Sequence, residues 1–111
     1  MRYRPTALGY LRSDVSGISQ AWDENQIRST AKRLGYDLAK IVVARGDQAP
    51  LAGLKRLLAQ VDAEAVVVPG RQHFEGEQVP EDLVRAADVI TVNPAHTHAR
   101  WVVPPLSADG M

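Results

Sequence analysis

Cysteine is missing from the 111-residue chain, which excludes a disulfide framework, a thiolate zinc site and a thiol nucleophile together. No apolar run approaches the roughly 18 residues a membrane span needs, and the opening segment MRYRPTALGY lacks a signal-peptide core. The expected setting is therefore the cytoplasm, with no membrane partner. Net charge is missing too, because 13 basic residues balance 13 acidic ones. Nonspecific nucleic-acid affinity comes mainly from neutralised phosphates, so a zero balance makes DNA a weak partner. The balance is uneven along the chain. Residues 1–60 hold ten basic and five acidic side chains, and residues 61–111 hold three and eight. That asymmetry permits a basic face, and ordinary solvated helix surfaces would also produce it.

Hydrophobic residues make up 45% and charged residues 23% of the chain, a globular composition that excludes wholesale disorder. The length fits one domain, here placed at residues 1–103, with 104–111 as a loose tail after Pro104 and Pro105. Short apolar runs alternate with helical patterns. Residues 7–11 form the first strand, with Gly9 inside it, and a polar, turn-rich loop follows over 12–19. Ser19 reads as an N-cap, with Asp23 and Glu24 in the first turn, where the helix dipole favours anions. Ile27, Ala31 and Leu34 then make one apolar stripe, and Gly35 suits the left-handed position that ends a helix. Residues 38–43 read as a second strand. Pro50 is placed for a first helical turn, and Leu51, Leu54, Leu57, Leu58 and Val61 line one face of that helix.

The run 65–68 is continuously apolar, as in strands buried on both faces. Residues 69–79 read as a loop, 80–87 as a short helix, 89–92 as a fourth strand and 101–103 as an edge strand. Alternating strands and helices imply a three-layer α/β/α domain with a mostly parallel four- to five-stranded sheet. Ligands in such sheets sit beyond the carboxyl ends of the strands, near the point where strand order reverses. The functional edge is therefore expected at the loops over 12–19, 43–50 and 69–79.

One combination is distinctive. Gly9-Tyr10-Leu11-Arg12 leads into a serine-bearing loop and a helix carrying Gln26-Ile27-Arg28, which runs on to Leu34-Gly35-Tyr36 and a strand. Leu54-Lys55-Arg56-Leu57-Leu58 adds a second helix. Over residues 7–68 the chain resembles the amino-terminal catalytic domain of the serine recombinases, the resolvase and invertase family. The resemblance implies a resolvase-like fold and a chemistry in which a serine hydroxyl attacks a DNA phosphate while arginines neutralise the transition-state charge. Tyr10 and Arg12 match the family's pattern. The nucleophile position, four residues after the tyrosine, holds Asp14, and a carboxylate there repels a phosphate. Ser13 lies one residue earlier, so its side chain is expected on the opposite face, and Ser16 lies on the loop. The family's Asp-Arg pair after the third strand is replaced by Pro69-Gly70-Arg71, and its Arg-Pro pair before the second helix is absent, with Arg45 a few residues upstream.

The remaining candidates are weaker. Asp14 can ligate a cation or cap the next turn; Arg12 and Arg71 can form an anion site, or Arg12 can pair with Asp14. His96 and His98 share a face if their segment is extended, but no third ligand stands at metal-site spacing, and His73 reads as a turn histidine. Trp22 and Trp101 read as core or interface residues. No Gly-rich nucleotide loop occurs, so no cofactor and no metal are expected. The pocket is expected from Tyr10, Arg12, Asp14, Arg45 and Arg71. The expected function is a catalytically inactive, serine-recombinase-like module that binds a second copy, a protein partner or a DNA-associated assembly. Two alternatives stand beside it: an active recombinase fragment using Ser13 or Ser16, and a binder of small anions or nucleotide phosphates.

Overall fold

The computed structural model describes residues 3–45 and 50–100. Its elements run β1 (Thr6–Arg12), α1 (Ser13–Ser16), α2 (Gln20–Arg33), β2 (Asp37–Ala44), α3 (Pro50–Val61), β3 (Ala65–Val68), α4 (Glu81–Ala86), β4 (Asp88–Thr91) and β5 (His96–His98), with three short 3-10 turns between them. The fold is α/β with one five-stranded sheet in the order β2-β1-β3-β4-β5. Its first four strands are parallel, and β5 runs antiparallel to β4. None of the described helices is long and apolar enough to cross a membrane.

Side chains alternate across the sheet as a strand period of two requires. Ala7, Leu11, Ala65, Val67 and Ile90 pack with Ile27 and Ala31 of α2. Leu8, Tyr10, Val66, Val68 and Val89 face the other way, onto Leu54 and Leu58 of α3 and Leu83 and Val84 of α4. All four residues of β3 are buried, which explains its unbroken apolar sequence. Fully burying one such side chain is worth about 1.5–3 kcal/mol, so the two faces of β1 and β3 hold the domain together. Gly9 sets how closely α2 approaches, because a methyl there would lie 2.7 Å from Ile27 Cγ2 and 2.9 Å from Ile41 Cγ1.

Several expectations change. The segment after β1 is not an irregular loop: α1 and a 3-10 turn at Gly17–Ser19 carry the chain into α2. Ser19 occupies the N-cap position of α2 without a side-chain capping bond. The Gln20 N–H bonds the Gly17 carbonyl instead, so the preceding turn replaces the cap. Leu34 sits past the last helical residue and is 43% exposed, and Thr30 takes the buried position beside Ile27 and Ala31. Gly35 adopts φ +86°, the left-handed terminator its sequence position implies. The segment 69–79 contains 3-10 turns at Arg71–His73 and Glu75–Glu77. The fifth strand is formed by His96–His98, after a turn through a cis Asn93–Pro94 bond. The strand expected at 101–103 and the tail at 104–111 lie outside the described residues.

Candidate functional site

Strand order reverses between β1 and β3, since the chain passes from β1 outward to β2 and then back to β3 on the other side. Arg12 closes β1 at this point, and the turn Arg71–His73 follows just beyond β3. The two are fastened together: the Arg12 N–H donates to His73 Nδ1 at 2.9 Å. His73 is buried, and an accepting Nδ1 puts the ring proton of the neutral imidazole on Nε2. Burial pushes its pKa below the ordinary 6.5, with Asp23 opposing and Arg12 reinforcing that shift. His73 is thus a turn histidine, as expected, but a buried one that ties two strand ends together. Phe74 beside it stacks on Tyr10, with ring centroids 5.6 Å apart and planes 15° apart. Burial likewise raises the Tyr10 phenol above its usual range.

The guanidinium of Arg12 closes on the carboxylate of Asp14, with Nε to Oδ1 at 3.2 Å and the terminal nitrogen to Oδ2 at 2.7 Å. The contact is bidentate, the geometry in which a guanidinium fork meets a carboxylate best. It holds the Asp14 carboxyl below the ordinary carboxylate range and lifts Arg12 further above its own. Both side chains remain partly exposed, so the pair adds little to stability. Its consequence is chemical, because the Arg12 fork already holds an anion.

Neither serine stands with that guanidinium. Ser13 Oγ donates to the Ala44 carbonyl at the end of β2, 3.3 Å away. Ser16 Oγ donates to Asp23 Oδ2 at 2.6 Å, and Ser16 is buried under α2. A cleft of about 670 Å3 opens on the α3 face of the strand ends, lined by Tyr10, Arg12, His73, Phe74, Glu75 and Glu81 among others. Of the five expected pocket residues, Tyr10 and Arg12 line this cleft and Asp14 is bound to Arg12. Arg45 ends the described part of the chain after β2 and is not among the lining residues. Arg71 lines a neighbouring cleft with His96 and His98, and Gln78, Val79 and Glu81 line both clefts.

His96 and His98 do share a face of β5, with ring centroids 4.4 Å apart and edge-on. Among the described residues no group of three or more His, Cys, Asp or Glu side chains could hold a metal ion. Burial, then His96 and then Arg71, lowers the His98 pKa. Trp22 is not a core residue, since 66% of it is exposed; Trp101 lies outside the described residues. Sequence reading missed His73, Phe74 and Glu75 as cleft residues. Their one available signal was position, just past a buried strand beside the reversal point. The chain matches no family model, no curated protein and no solved structure.

Proposed function

We propose that this chain is a resolvase-like domain of the serine-recombinase type that has lost strand cleavage and works as an interaction module. One observation carries the reading: the arginine that should meet a DNA phosphate is held bidentately by Asp14, the residue standing where the attacking serine belongs. Phosphodiester exchange needs a hydroxyl beside free cationic donors. Here the two nearby hydroxyls donate to a backbone carbonyl and to Asp23.

The character of the cleft supports a protein partner over an anion. Its aromatic wall is the Tyr10–Phe74 stack, and Glu75 and Glu81 add two carboxylates beside the one guanidinium already paired. Such a surface favours a cationic or apolar side chain of a partner and disfavours a phosphate. A partner, a second copy or a DNA-associated assembly would dock here.

The test is incubation with duplex DNA followed by denaturing electrophoresis for a protein–DNA adduct. The proposal expects none. A second reading keeps Ser16 as nucleophile, and the 2.6 Å bond to Asp23 favours it by offering a base for the hydroxyl proton. An adduct that disappears in Ser16→Ala would establish that reading and overturn the first.

A further inference from the structure

We infer that a second concavity, on the α2 face of the sheet edge, binds a nucleobase stacked on Trp22. This inference does not depend on the recombinase reading. The concavity measures about 350 Å3 and is lined by Trp22, Asp23, Gln26, Gln72 and Asn93, together with Pro69 and Val92 where β3 and β4 end. It therefore opens at the carboxyl edge, where α/β sheets place their ligands.

An indole that packs against the core would be buried, yet Trp22 leaves two-thirds of its area in solvent. A large rigid ring presented this way is a stacking platform, and every base has a π-face to lay on it. Around the platform stand Gln26, Gln72 and Asn93, three residues whose side chains each carry an amide donor and acceptor side by side. That adjacent pair matches the edge of a base, adenine best, through two parallel hydrogen bonds. A sugar hydroxyl, which carries donor and acceptor on one atom, makes no such demand.

The backbone is shaped to this arrangement. The Gln72 amide folds against Gly70, where a methyl group would collide with it and would also lie 3.0 Å from the Asn93 carbonyl oxygen. Gly70 is extended, at φ −177°, so any residue could adopt its conformation and what singles it out is the space it leaves for the amide. Asp23, which already accepts the Ser16 hydroxyl, adds negative charge to the wall. The base itself, and not a phosphate attached to it, is what fits. The source is a free nucleoside or an unpaired base of a single strand.

Calorimetric titration of the full chain with adenosine, guanosine, cytidine, uridine and a short single-stranded oligoadenylate separates these, with maltose as the sugar control. The expected result is saturable binding of adenosine at millimolar concentration or below, weakened about ten-fold or more by Trp22→Ala. Gln72→Ala should weaken it several-fold while leaving the melting temperature in place. Oligoadenylate binding without nucleoside binding, equally lost in Trp22→Ala, would support the site and identify single strands as the source. Absence of binding by every nucleoside and by the oligonucleotide would overturn it. So would binding unchanged in Trp22→Ala, or binding of maltose alone.

Discussion

Replacing His73 by leucine tests how the turn after β3 is fastened to the end of β1. The imidazole is only 1% exposed, and its Nδ1 accepts the Arg12 N–H at 2.9 Å. Leucine is close to it in volume, so most packing survives, but the Arg12 amide loses its acceptor. Leaving a part-buried donor unpaired costs about 1–3 kcal/mol. Protonation supplies a second signature. Burial holds the folded imidazole below 6.5, so between 6.5 and that lowered value the unfolded chain binds a proton that the folded chain refuses. Stability is then complete above the unfolded value and declines as pH falls, with a limiting slope of about 1.4 kcal/mol per pH unit for one proton.

Urea denaturation followed by far-ultraviolet circular dichroism, at pH values from about 7 to about 5, reads both effects. The wild type should lose stability across that range. His73→Leu should start lower at neutral pH and show a flatter profile, the remaining slope coming from His98, whose pKa is also lowered by burial. A variant as stable as the wild type at neutral pH would refute the bond's role. A pH profile parallel to the wild type's would refute the assignment of the titrating group.

The other expectations concern the strand–helix contact and the arginine. Gly9→Ala places a methyl 2.7 Å from Ile27 and 2.9 Å from Ile41 and should cost about 1–3 kcal/mol by overpacking. Gly53→Ala, in α3 with nothing within 4 Å of the new methyl, should instead stabilise by about 0.5–1 kcal/mol; the same denaturation experiment checks both. Asp14→Asn removes the carboxylate that occupies the Arg12 fork. Inorganic phosphate should then raise the melting temperature of the variant and leave that of the wild type unmoved; equal shifts in both would count against the closed fork.

The residues that determine the fold were legible because each carries a local physical signature. The apolar run of β3, the Leu54 and Leu58 stripe, Pro50 at a helix start and Gly35 at a helix end all act through spacing or backbone geometry. Leu34 misled because it lies one position beyond a helix boundary, where a single residue separates stripe from solvent; Ser19 stands at the expected N-cap position but makes no side-chain bond, the preceding 3-10 turn joining the helix through the backbone. The fifth strand escaped notice because a three-residue polar segment, His-Thr-His, carries no alternation; its pairing with β4 depends on tertiary contact. At the site, Tyr10, Arg12 and Asp14 lie in one short stretch and were readable together. His73 and Phe74 belong to the same cleft across 61 or more positions of sequence, a proximity that only the strand order creates.

Carbon NMR titration of the Asp14 carboxyl, in the wild type and in Arg12→Gln, tests the occupied fork most directly. A bidentate ion pair predicts a wild-type pKa below the ordinary 3.8 and a return toward that value once the guanidinium is gone. A wild-type carboxyl that titrates normally and ignores the substitution would mean that Arg12 stands open to a phosphate, contradicting the reading of this domain as a silent recombinase.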